Sequence, residues 1–162
     1  MAKVVIALGS NLDNPLKQLQ TAGKFLAELS ESGLIKSPIY SSEPVGPAQF
    51  DFLNSVAVLQ TELSPSALFE KLKEQEARQG RPSRYPKWTA RTLDLDIIAY
   101  DDLVVETDNL IIPHREYSRR LFVLLPLKDV FPKWKDPVSA QRIDELIEQA
   151  PEIQIQKMTW NW

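Results

Sequence analysis

Residues 93–112 read LDLDIIAYDDLVVETDNLII, and this stretch decides the fold class. Leu93 to Tyr100 is the clearest strand of the chain, rich in β-branched and apolar residues. Two shorter strand candidates, Leu103–Glu106 and Leu110–Ile112, follow after only a few residues each. A parallel crossover needs a dozen or more residues, so these connections force antiparallel neighbours.

Upstream, Lys3–Gly9 is a β-branched apolar run with the look of a strand covered on both faces. Asn14 and Pro15 supply a cap and first turn, and Leu16, Leu19, Ala22, Gly23, Leu26 and Leu29 follow at helical spacing, which predicts a helix over 15–31 stopped by Gly33. Leu34–Ser41 is a strand bent or placed at an edge, because Pro38 cannot donate to a ladder. After a proline-bounded loop at 43–50 comes a third strand, Leu53–Thr61. Ser64 and Pro65 open a second helix that closes at Gly80, a residue suited to a left-handed terminus. Helices over Leu121–Val130 and Ser139–Gln149 and a last strand at Ile153–Met158 complete the pattern. The expectation is an α+β sandwich, with a mostly antiparallel sheet and helices packed on both faces.

With 162 residues and no low-complexity tract or repeat, one domain spanning 1–162 is expected. The apolar run near the N-terminus is too short for a signal or membrane segment, so a cytoplasmic protein with no membrane partner is the simplest reading. Cysteine is absent and His114 is the single histidine, which removes disulfides, thiolate metal sites and multi-histidine zinc. Any metal must be held mainly by oxygen, which favours magnesium, manganese or calcium. A net charge of −3 argues against a general nucleic-acid binder.

Strand periodicity puts Leu93, Leu95 and Ile97 on one face and Asp94 and Asp96 on the other. Two carboxylates roughly 6 to 7 Å apart on a sheet repel unless something positive lies near, and a divalent cation would answer that. The alternative is the solvated side of a half-buried strand. The preceding segment favours the cation: Ala77 to Arg91 carries Arg78, Arg81, Arg84, Lys87 and Arg91 and no acid. Guanidinium forks beside metal-binding carboxylates suit a nucleoside triphosphate. Trp88, within this segment, can clamp it or stack on a base. Glu76 shares a helical stripe with Leu68 and Leu72, an unusual place for a carboxylate. Of the adjacent Arg119 and Arg120 only one can face a ligand. No phosphate-binding G-x-x-x-x-G-K-[ST] loop and no protein-kinase motif is present.

Gly9-Ser10-Asn11-Leu12, Pro44-Val45-Gly46-Pro47, Phe52-Leu53-Asn54, Arg91-Thr92-Leu93-Asp94-Leu95-Asp96-Ile97, Pro113-His114 and Phe122-Val123-Leu124 together resemble the 6-hydroxymethyl-7,8-dihydropterin pyrophosphokinases. The blocks run in that family's order from residue 9 to residue 124. The resemblance implies a ferredoxin-like α+β fold and transfer of diphosphate from ATP to the pterin alcohol, releasing AMP, in folate synthesis. It makes Asp94 and Asp96 the ligands of two Mg2+ ions. Arg81 and Arg91 become phosphate-binding and catalytic arginines, with Trp88 beside them and touching both substrates. Glu76, Arg84, Ile97, His114 and Arg120 become ATP contacts. Ser42, Val45, Phe52, Asn54 and Phe122 become the pterin pocket, two rings sandwiching the flat bicycle while an amide reads its edge. A monomer is expected. Ser83, Ala90, Asn109 and Glu43 depart from common family residues. Two other readings stay open: a two-metal nuclease or phosphatase using the same carboxylates, and an RNA-binding module on a ferredoxin-like sheet. The latter lacks the expected pair of sheet aromatics in a glycine-rich strand.

Overall fold

The computed structural model describes residues 1–44, 50–80 and 92–162. The element order is β1 (Ala2–Ser10), α1 (Pro15–Leu29), β2 (Ile35–Lys36), β3 (Tyr40–Ser42), β4 (Phe52–Thr61), α2 (Pro65–Arg78), β5 (Asp94–Tyr100), β6 (Val105–Glu106), β7 (Ile111–Ile112), a 3-10 turn (Tyr117–Arg119), α3 (Leu121–Val130), α4 (Ile143–Gln149) and β8 (Ile155–Lys157). The main sheet runs β5-β1-β4-β3-β8, with β2 also on β4 and every pair antiparallel. Inserting β4 between β1 and the β2/β3 edge gives the split crossover of the expected ferredoxin-like fold. β6 and β7 form a separate hairpin.

Alternation along the strands feeds two cores, one on each face. Val4, Ile6 and Leu8 of β1 join Leu93, Leu95 and Ile97 beneath α1 and α2, where Leu19, Leu26, Leu68 and Leu72 are buried. Val5 and Ala7 join Val56, Val58 and Ile98 beneath α3 and α4, with Val123, Leu124, Leu127, Ile143 and Leu146. Each large aliphatic so buried contributes about 1.5–3 kcal/mol, and the two layers fix which side of every strand is left for chemistry.

Local signals explain most boundaries. The Asn14 side chain accepts the Lys17 N–H and the Ser64 side chain accepts the Ala67 N–H, each followed by a proline in the first turn. Most strands differ from expectation by one or two residues at an end, and three larger differences have a visible cause. Helix α1 ends at Leu29, before Gly33, because Ser30 turns extended and the chain is tied to β4: the Glu31 N–H donates to the Gln60 carbonyl, and Ser30 Oγ accepts the Gln60 N–H. The strand containing Pro38 is split into β2 and β3, and Ser37 Oγ accepts the Val56 N–H in the gap at 2.8 Å. Helix α4 starts at Ile143, not Ser139, because Asp136 Oδ1 accepts the Val138 and Ser139 N–H groups and Ala140 takes a positive φ of 61°.

Gly80 sits past the end of α2 with φ of 103°, a conformation that opposes a Cβ. Gly80→Ala is expected to destabilise the protein by about 1–2 kcal/mol, seen as a fall in Tm of about 2–4 °C per kcal/mol. A Cβ there would lie 3.6 Å from the Thr92 methyl, ordinary contact, so the loss is conformational and an unchanged Tm would contradict it.

Candidate active site

The ends of β1, β4 and β5 converge on the α3 side of the sheet, and the register brings the candidate residues together there. Gly9 of β1 pairs with Asp94 on one side and with Asn54 on the other; two residues along, Ala7 pairs with Asp96 and Val56. Because Ala7 and Val56 belong to the α3–α4 core, Asp94, Asp96, Asn54 and Phe52 all stand on that face. Leu93, Leu95 and Ile97 point into the opposite core, as the alternation predicted. Asp94 and Asn54 are therefore two strand spacings apart, roughly 10 Å. Between them is a residue with no side chain.

That residue is Gly9, the first of the Gly9-Ser10-Asn11-Leu12 block, and it lies within β1. A Cβ on it would stand 3.6 Å from Asn54 Oδ1 and 3.8 Å from a Phe52 ring carbon. It is the floor of the site. Glycine inside a strand, where it costs stability, was the available signal of a close approach.

The amide of Asn54 is buried and oriented. Its Nδ2 donates to Ser42 Oγ at 2.8 Å and to the Tyr40 carbonyl at 3.2 Å. Both donor hydrogens are spent on β3, so Oδ1 is the atom presented toward Gly9, as an acceptor. Phe52 and Phe122 are half-buried on the same face, Phe122 packed on the α3–α4 core. Tyr40 is itself anchored to α3 by donating its hydroxyl hydrogen to Asp129. Burial and that partner push its phenol well above the usual tyrosine range. Glu43 at the rim binds the residue before β8: its N–H donates to the Gln154 carbonyl and its Oε1 accepts the Gln154 N–H, both at 3.0 Å.

On the β5 side a bulge does the positioning. Register shifts so that Ile6 faces Ile97 while Val5 faces Ala99, leaving Ile98 as the extra residue. The Ile98 carbonyl accepts the His114 N–H at 3.1 Å, which places the imidazole beside the carboxylates, its Nε2 3.9 Å from Asp96 Oδ2. Nδ1 accepts the Glu116 N–H, so the neutral ring carries its hydrogen on Nε2, directed at the site. Burial lowers the His114 pKa; the Asp96 carboxylate opposes this and the Arg120 cation adds to it. Arg120 is held by Glu116 at 2.7 Å and lies over the Phe122 ring, whereas Arg119 is exposed, so Arg120 is the one of the pair that faces the site. A cleft of about 240 Å³ opens here, lined by Phe69, Leu95, Asp96, Ile97, Asn109, Leu110, His114 and neighbouring residues. Glu76 lies on the other side of β5, its Oε2 accepting the Leu95 N–H at 2.7 Å. Val45, Arg81, Arg84, Trp88 and Arg91, together with Ser83 and Ala90, lie outside the described residues.

Asp94 and Asp96 are half-exposed oxygen donors on one strand face. Such a pair suits a hard divalent cation completed by phosphate and water oxygens rather than an all-protein cage. Among the described residues no group of three or more potential ligands exists, in keeping with that incomplete set.

Residues 5–132 match the family described as 7,8-dihydro-6-hydroxymethylpterin-pyrophosphokinase. The chain belongs to this pyrophosphokinase family. A 2-amino-4-hydroxy-6-hydroxymethyldihydropteridine pyrophosphokinase of Haemophilus influenzae is 42% identical over 151 residues, covering 92% of this chain and 93% of that protein. Another of the same name, from Pseudomonas aeruginosa, is 40% identical with 92% of each covered. Among solved structures, a Plasmodium falciparum HPPK-DHPS matches with TM-score 0.71 and 16% identity over 91% of this chain. The chain spans 43% of that protein, and the likeness is one of fold. Membership of the pyrophosphokinase family does not favour the nuclease, phosphatase or RNA-binding readings. No helix among the described residues is long and apolar enough to cross a membrane.

Proposed function

We propose that this chain transfers diphosphate from ATP to the hydroxyl of 6-hydroxymethyl-7,8-dihydropterin, giving the pterin diphosphate and AMP, in folate biosynthesis. The carrying observation is the Asp94–Gly9–Asn54 row with Asp96 two residues along β5 from Asp94: two carboxylates and an oriented amide acceptor stand on one face, on either side of a bare glycine. One end of that row suits polyphosphate and the other a flat heterocycle with N–H donors along its edge.

The pterin lies between the rings of Phe52 and Phe122, and Asn54 Oδ1 takes a hydrogen from its amino-pyrimidine edge. ATP occupies the cleft beside Ile97, its phosphates reaching His114 and Arg120. His114 Nε2–H donates to a phosphate oxygen, and Arg120 supplies a fixed cation. Arg81, Arg84 and Arg91, from the basic segment, add charge on the transferring group, and Trp88 and Val45 close the two substrates in. Asp94 and Asp96 would hold the divalent cations, two Mg2+ on this reading, which when bound neutralise phosphate charge and lower the pKa of the attacking hydroxyl. The residues themselves contribute positioning for an in-line displacement at the β-phosphorus, with AMP leaving. A single domain over 1–162 acting as a monomer in the cytoplasm completes the proposal.

The deciding experiment mixes the protein with ATP, magnesium and the reduced hydroxymethyl-pterin and separates the nucleotides. AMP formed in equal amount to pterin diphosphate is expected. ADP or free phosphate in its place, or nucleotide breakdown that ignores the pterin, overturns the proposal.

A further inference from the structure

Glu76 occupies a costly position. It is 2% exposed, and it lies in the last turn of α2, where the negative end of the helix dipole disfavours an anion. Burying a charge is expensive unless it is paired and hydrogen-bonded. Lys73 Nζ, half-exposed, is 3.5 Å from Oε1. The shorter contact is to backbone: Oε2 accepts the Leu95 N–H at 2.7 Å, the length of a charge-assisted bond.

Among the described residues β5 pairs in the sheet with β1 alone, so the Leu95 N–H, turned away from β1, lies on a strand edge. Leu95 is the residue between Asp94 and Asp96. Its nitrogen belongs to the peptide that joins it to Asp94, so holding that N–H fixes the backbone from which both carboxylates project. The carboxylates leave on the α3 face and Glu76 approaches from the α2 side.

We infer that Glu76 is a positioning residue: it replaces a missing strand at the edge of β5 and fixes the 94–96 backbone in the geometry that holds the divalent cation. This rests on the reading of Asp94 and Asp96 as the metal ligands. Glu76 acts through the Leu95 peptide, so the chemistry needs its acceptor oxygen rather than its charge.

The test compares Glu76→Ala with Glu76→Gln in the full chain, using amide hydrogen exchange at Leu95 in the metal-free protein and the magnesium dependence of AMP formation. In Glu76→Ala the Leu95 amide should exchange at least about tenfold faster. The magnesium concentration for half-maximal rate should rise about 10- to 100-fold, with pterin KM within about twofold of wild type. Glu76→Gln, whose amide oxygen can accept the same N–H, should stay within about threefold on both measures. Unaltered Leu95 protection in Glu76→Ala overturns the inference, as does a Glu76→Gln protein as impaired as Glu76→Ala, which would assign the effect to charge. If Glu76→Ala does not fold, Glu76→Asp withdraws the oxygen by one methylene and is judged by the same two readouts. Failure of the wild type to make AMP strikes the proposed function alone, because the exchange result does not depend on it.

Discussion

Asp96→Ala will lose diphosphate transfer by about three orders of magnitude, roughly 4 kcal/mol of transition-state stabilisation, and will fold as well as the wild type. The two halves of this expectation have separate causes. Asp96 projects from a strand whose other face supplies Leu95 and Ile97 to the core, and its own side chain is 40% exposed, so its removal opens no cavity. Removing it also relieves repulsion from Asp94, worth about 0.6 kcal/mol at 6 to 7 Å in a water-like medium. The metal-free variant should therefore melt at or slightly above the wild-type Tm. The catalytic loss comes from halving the carboxylate set and from freeing His114, whose Nε2 faces Asp96. AMP release under saturating ATP and pterin, followed across a magnesium titration, measures the first. A calorimetric melt in chelator measures the second. Activity within about tenfold of wild type at any magnesium concentration would remove Asp96 from the metal site. An ordinary polar strand face predicts no catalytic effect at all.

What the sequence disclosed and what it withheld follow a physical division. Patterns with a short repeat were legible: the alternation that separates Leu93, Leu95 and Ile97 from the two aspartates, the helical stripe carrying Leu68, Leu72 and Glu76, and the proline-supported caps at Asn14 and Ser64. Each is decided within a few residues of chain. Boundaries set by distant partners were not legible. Helix α1 stops where Gln60, thirty residues away, takes hold of Ser30, and α4 begins late because Asp136 caps a turn first. The β5 bulge at Ile98 leaves no mark in composition, yet it delivers His114 to the carboxylates. The site divides in the same way. Residue types along the chain pointed to phosphate and metal, and the family resemblance to a pterin, but the single row Asp94–Gly9–Asn54 exists only through strand register, and register is a property of pairs.

That row makes Gly9 the residue whose enlargement should do most damage without breaking the fold. Gly9→Val puts three carbons on the floor between Asp94 and Asn54. The first of them would meet Asn54 Oδ1 at 3.6 Å and Phe52 at 3.8 Å, which is ordinary contact, so Gly9→Ala fits and should cost little in Tm. Valine's two further methyl groups must project beyond that contact, into the space where the transferring group passes from nucleotide to pterin. Displacing substrate by about 1 Å costs on the order of 10²-fold, and Gly9→Val should lose at least that in kcat/KM for the pterin. Gly9→Ala should lose less, in proportion to its one carbon. Strand propensity runs the other way, since valine favours a strand and glycine weakens it. The variant that loses activity should therefore be at least as stable as wild type, a combination that general misfolding cannot produce. The decisive comparison is pterin KM against ATP KM across the wild type, Gly9→Ala and Gly9→Val. A rise confined to ATP would move Gly9 out from under the pterin, and equal activity in all three would mean that the reacting groups do not meet above β1.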